Sequence, residues 1–151
     1  MTPQILKRDI TVPHELDAVF AFFSRPENLQ TITPPWMKMT VLTPSPVPMH
    51  VGAIIDYAIK LNGLPLRWTT AISEYEPPHR FVDVQLKGPY SLWHHTHRFE
   101  AIEEGTRIID EVHYLLPFGP LGAFVNSLKV KKDLRTIFDY RTQVIQEQFP
   151  A

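Results

Sequence analysis

Prolines divide this chain into two unlike parts. It carries 15 of them. They recur from Pro3 to Pro120, whereas none interrupts the run from Leu121 to Phe149. A proline lacks a backbone N–H and has a fixed φ, so it starts, ends or breaks an element rather than continuing it. The first part therefore reads as a succession of short elements, and the second as one long helix.

Ile5 to Val12 reads as a first strand. The stretch PHELDAVFAFFS begins at Pro13 and repeats Leu16, Val19, Phe20 and Phe23 at helical spacing. Pro26 opens a second short helix, PENLQTI, because proline in a first turn removes an N–H that has no partner anyway. Pro34 and Pro35 stop it. Strands are predicted at Met37 to Leu42, Ile54 to Leu61, Leu64 to Ser73, Arg80 to Leu86, Leu92 to Glu100 and Thr106 to Leu115. Asn62-Gly63 is a hairpin signal, since both residues tolerate positive φ. Gly88-Pro89 and Glu104-Gly105 mark further turns, and TPSPVPMHVG is a proline-rich loop. The closing helix is predicted over roughly Leu121 to Gln148. Leu121, Phe124, Val125, Leu128, Leu134, Ile137, Phe138, Val144 and Ile145 are read as lining one side of it. Between Leu128 and Leu134 that stripe has a gap, partly covered by Val130.

An order of strand, two helices, six strands and a long helix predicts an α+β domain. A largely antiparallel sheet needs cover on one face, which the last helix supplies. A curved sheet around one helix need not fill with side chains, so an apolar pocket between them is expected. The 151 residues are read as a single domain, 44% hydrophobic and able to bury a core. A net charge of -1 gives no electrostatic reason to expect nucleic acid as a partner. With no cysteine, disulfides, thiolate catalysis and sulfur-ligated metal are excluded. No apolar run is long enough to span a membrane, and MTPQILKRDI lacks a signal-peptide core. A cytoplasmic protein without stable membrane insertion is expected.

Three stretches carry a family resemblance: VPHELDAVFAFFSRPENLQTITPPW, GPYSLWHHTHRFE and DEVHYLLPFGPLG. On these the chain resembles the START-like superfamily, also called SRPBCC or Bet v 1-like. Within it, the chain is similar to bacterial ligand-binding proteins grouped with polyketide cyclase/dehydrase-like domains. The resemblance spans nearly the whole chain. It implies a helix-grip START-like fold, in which a curved seven-stranded antiparallel sheet surrounds a long C-terminal helix and two short N-terminal helices precede most of the sheet. It also implies an apolar ligand between sheet and helix. Relatives include lipid carriers, hormone receptors, aromatic-ring cyclases and co-chaperones, so the fold does not choose among functions.

The densest chemistry is LWHHTHRFE, with three histidines, a tryptophan and an arginine in nine residues. Alternate strand residues share a face, which sets Trp93, His95, His97 and Phe99 toward the cavity and His94 and Arg98 toward solvent. Two same-face histidines lack an assured third ligand, so no metal is expected, although Asp83, Asp110 or Glu111 could supply one. Whether Asp83 and Gln85 face in or out depends on hairpin register, and the same holds for Asp110. A buried Asp110 would need a histidine or arginine partner. Trp68 and Tyr57 fall on the apolar faces of their strands. Phe118 and Phe124, around PFGPLG, are expected to guard an entrance. No nucleophile signature is present. The sequence thus favours binding of a small apolar or aromatic molecule, without a cofactor, by Tyr57, Trp68, Asp83, Trp93, His95, His97, Phe99, Asp110, Phe118 and Phe124. The alternatives are a cyclase-like enzyme using His97 or Asp110 as acid or base, and a protein-interaction module with a filled core. A homodimer is compatible with any of these.

Overall fold

The computed structural model describes residues 2–151. Its sheet contains β1 (Gln4–Val12), β2 (Thr40–Val41), β3 (Ile54–Leu61), β4 (Leu64–Glu76), β5 (Arg80–Lys87), β6 (Leu92–Ile102) and β7 (Gly105–Leu115). The strand order is β1-β7-β6-β5-β4-β3-β2, and every neighbouring pair is antiparallel. Between β1 and β2 lie α1 (Leu16–Phe23) and α2 (Leu29–Ile32). The chain ends in α3 (Gly119–Val125), a π-helical turn (Asn126–Val130) and α4 (Lys131–Gln148), which follow one another without a break. The predicted helix-grip architecture is the one observed.

Local chemistry explains several boundaries. Asn62 and Gly63 both adopt positive φ, 51° and 79°, as the tight turn between β3 and β4 requires. The strand predicted at Met37 to Leu42 shrinks to Thr40–Val41. Pro35–Met37 instead forms a 3-10 turn closed by Lys38 at φ 44, which turns Met37 into the core. β4 runs three residues beyond the predicted Ser73. A bulge between Ile72 and Glu74 interrupts its alternation, which hid the extension.

The long helix corrects the single stripe read from the sequence. Leu134, Phe138, Arg141 and Ile145 are buried against the sheet, whereas Leu121, Phe124, Val125 and Leu128 are exposed. Six residues separate Leu128 from Leu134, a rotation of about 240° on a regular helix, so the two groups cannot share a face. In the first half the inward positions belong to Gly122 and Asn126. A side chain on Gly122 would place Cβ 2.1 Å from the Pro117 carbonyl oxygen, so only glycine lets α3 approach the exit of β7 this closely. Asn126 Oδ1 accepts a 2.8 Å hydrogen bond from the buried Tyr114 hydroxyl.

The core has a filled end and a hollow end. Phe20 and Phe23 of α1 meet Phe81, Phe99, Ile145 and Phe149 at the filled end. Phe99 lies edge-on to Phe20 with centroids 5.3 Å apart. Toward β3, β4 and the middle of α4 the sheet curves away, and the space is not closed by side chains.

Candidate functional site

A cavity of about 170 Å³ occupies that space. Its wall is largely apolar, with Ile55, Tyr57 and Ile59 from β3, Trp68 and Ile72 from β4, Trp93 from β6, and Leu134 and Phe138 from α4. Trp68 and Trp93 meet at 88° with centroids 5.2 Å apart, and Tyr90 packs 4.9 Å from Trp93. These rings, set at steep angles to one another, give the cavity an aromatic corner. Asp83, His95, His97 and Arg141 form a polar pole on the same wall.

Register builds the pole. β5 places Asp83 opposite His95, and β7 places Asp110 opposite His97. The hydrogen bonds run diagonally instead. His97 Nε2 lies 2.5 Å from Asp83 Oδ2, and His95 Nε2 lies 2.7 Å from Asp110 Oδ1. Diagonal neighbours on a sheet stand within reach of long side chains. The crossing stacks the two imidazoles at 3.7 Å and 24°, and Phe81 covers the other face of His97 at 4.1 Å. Arg141 comes down from α4 and donates to Asp110 Oδ1 at 3.1 Å. One buried carboxylate therefore receives both a histidine and an arginine.

Charge follows from these contacts. Burial alone would raise the Asp110 carboxyl, but Arg141, the His95 hydrogen bond and the nearby imidazoles outweigh it and hold Asp110 well below the usual carboxylate range. Asp83 is likewise lowered, burial being overcome by His97, His95 and Arg141. Burial and the neighbouring His95 push His97 down to about 4 despite the pull of both aspartates. His97 is thus neutral at pH 7. An ionised carboxylate can only accept, so the His97 proton sits on Nε2 and points at Asp83. Its Nδ1 keeps a lone pair and has no hydrogen-bond partner. Asp110 Oδ1 is 3.5 Å from that nitrogen, but acceptor faces acceptor there. Arg141 Nε is also buried without a partner. Burial, together with Asp83 and Glu27, raises the Tyr57 phenol, which stays a neutral donor.

Asp83, His95 and His97 bring two nitrogens and an oxygen within 4.8 Å of one another, a spacing from which a cation could be held. The hydrogen bonds just described already commit Nε2 of both histidines. Binding through either Nε2 would break one of these hydrogen bonds, which leaves Nδ1 of His97, the nitrogen without a partner, as the atom open to a cation.

Of the residues singled out in the sequence, Tyr57, Trp68, Asp83, Trp93, His95 and His97 lie on the cavity wall. Asp110 is buried behind the cavity wall and reaches the cavity through His95 and Arg141, which it binds. Phe99 sits in the filled end, because α1 lays Phe20 and Phe23 over it. Phe118 and Phe124 do not line the cavity: they are 79% and 59% exposed, Phe118 in the turn that enters α3 and Phe124 on the side of α3 away from the sheet. Sequence reasoning missed Arg141 and Tyr90. Arg141 carried a signal: it falls three residues after Phe138 and four before Ile145, a cation in a core stripe.

The family of polyketide cyclase / dehydrase and lipid transport domains matches residues 12–138. No curated protein matches. Among solved structures, TTHA0849 from Thermus thermophilus is 16% identical, with 97% of each chain covered and a TM-score of 0.72. Major latex-like protein 151 from Panax ginseng is 11% identical over 100% of both chains, with a TM-score of 0.73. Protein Ms6760 from Mycobacterium smegmatis is 15% identical, with 95% of this chain and 92% of that chain covered and a TM-score of 0.67. At these identities the likeness shows a shared fold. No helix among the described residues is long and apolar enough to cross a membrane.

Proposed function

The chain belongs to the polyketide cyclase / dehydrase and lipid transport family, and from that premise we propose that it binds a small apolar or aromatic molecule carrying one polar end. The observation that carries this reading is a largely apolar cavity with the Asp83, His95, His97 and Arg141 cluster on its wall. Trp68 and Trp93 offer flat contact to the body of the ligand. A hydroxyl or protonated acid at its end can donate to His97 Nδ1, and a carbonyl or carboxylate can accept from Arg141 Nε; both nitrogens lie buried with hydrogen-bonding capacity unused. The chain acts as one ligand-binding domain in the cytoplasm, with no nucleic acid and no resident metal or other cofactor. Native mass spectrometry of gently purified protein tests this. A retained apolar molecule that Trp93→Ala releases and His97→Ala weakens would support it. A wild-type protein that neither retains nor takes up any aromatic or lipid-like compound would remove it.

A cyclase-like enzyme is the second reading, favoured by the neutral, unpartnered Nδ1 of His97. A neutral imidazole with a free lone pair, oriented by a carboxylate on its other nitrogen, has the geometry of a general base, and its lowered value of about 4 makes it a weak one at pH 7. Turnover of a polyketide-like substrate by wild type, with binding but no turnover by His97→Ala, would favour chemistry over carriage.

A further inference from the structure

We propose that the outward face of α3 and the π turn is a docking site for an anionic lipid bilayer. Phe118, Leu121, Phe124, Val125 and Leu128 recur along this face and are 79%, 62%, 59%, 41% and 66% exposed. Isolated exposed apolar residues are ordinary, but a contiguous stripe on one helix face marks a surface that meets something. The exposure is fixed by the fold. Gly122 against the Pro117 carbonyl and Asn126 against Tyr114 lock the inward face, so the large residues have no route to the core.

Charge selects the occupant. Lys129, Lys131, Lys132 and Arg135 follow the stripe and are exposed. Asp133, the lone acid between Phe118 and Arg135, is bound to Lys129 at 3.0 Å. The chain as a whole carries -1, so this basic end is local. A stable protein interface engages about 20–30 residues a side, far more than one helical stripe. An apolar stripe edged by lysines matches a helix lying in the bilayer interface. There the side chains enter the acyl boundary and the ammonium groups reach anionic headgroups. Val130, on the same π turn, packs with Trp93 and Leu134 on the cavity wall, so a docked bilayer lies beside that end of the cavity. Only this last consequence rests on the ligand-binding reading.

Co-sedimentation with vesicles tests the site, using the full chain and no added ligand. Wild type is expected to bind vesicles of phosphatidylcholine mixed with phosphatidylglycerol, more weakly as salt rises, and to bind phosphatidylcholine alone poorly. Phe124→Ser with Leu128→Ser, and separately Lys131→Glu with Lys132→Glu, should each weaken binding by about tenfold or more while circular dichroism stays unchanged. All four residues are exposed, so these variants are expected to fold. Absence of binding to the anionic vesicles would overturn the proposal. So would binding that both variants retain, or a wild-type dimer that the serine variant dissociates. None of these outcomes bears on ligand retention in the cavity, which is measured without vesicles.

Discussion

Arg141 and Asp110 are held in one geometry by burial, and each needs the other. Arg141→Met keeps much of the side-chain volume but leaves Asp110 a buried charge with only His95 as donor. The expected cost is about 3–5 kcal/mol at pH 7, read from urea unfolding. Without the guanidinium, Asp110 is no longer held so low. It takes up a proton more readily, and the deficit against wild type should shrink as pH falls. His97 sets a second dependence. Its folded value, about 4, lies below the usual 6.5, so between those values the unfolded chain binds a proton that the folded chain refuses. Stability should therefore fall from pH 7 to pH 5, by about 2 kcal/mol from this group. The two lowered aspartates act below that window. Their contribution is present above about pH 4 and is lost as pH falls through their folded values. His97→Gln should flatten the slope between pH 7 and 5, as measured by urea midpoints across pH. Alternation in LWHHTHRFE made the inward set of Trp93, His95, His97 and Phe99 readable without coordinates. Asp83 was not readable. The inward face of FVDVQL is its more polar one, and only the pairing with β6 reveals it.

At the level of elements, the long helix is where sequence pattern misled. Its apolar residues recur at helical spacing throughout, yet the gap after Leu128 is a change of face rather than a weak point in one stripe. The π turn sits at that change. Periodicity within a half-helix was legible, but the phase between halves was not, because phase depends on which residues the sheet accepts. Gly122 is the residue that admits the first half. Gly122→Ala adds a methyl where the Pro117 carbonyl stands 2.1 Å away, and backbone is what must move. The helical propensity of alanine would favour the change by roughly 1 kcal/mol in an open helix. Here the steric cost should win, with a net loss of at least about 2 kcal/mol and a lower Tm by differential scanning calorimetry. A neutral or raised Tm would mean that α3 is not seated as closely as described. Gly63, in the β3–β4 turn, shows the readable counterpart: Asn-Gly announced its backbone from two letters.

Across the whole molecule, the same helix and sheet close one end of the core and leave the other open. Element order, and with it the grip of the sheet on the helix, follows from proline placement and alternation. The division of the core does not, because it depends on how far the sheet curves and on where α1 lays its phenylalanines. Tests at the two ends should separate folding from binding. Phe99 is 1% exposed, lies off the cavity wall and is covered by Phe20, Phe23 and Phe81, so Phe99→Ala opens a void behind that wall. A loss of about 3–5 kcal/mol is expected in urea unfolding. If that variant is still folded at low temperature, its affinity for an aromatic probe such as anilinonaphthalene sulfonate should stay near the wild-type value. Trp93 borders space that is already hollow. Trp93→Ala enlarges it and removes a ring that packs edge-on with Trp68. It should cost less stability than Phe99→Ala, yet weaken probe binding by about tenfold, since the flat contact that holds the probe is gone. Fluorescence titration of both variants reads the contrast directly. If Phe99→Ala weakened the probe as much as Trp93→Ala did, the core would be acting as one unit. The separation of a filled, structural end from a hollow, ligand-holding end would then be wrong.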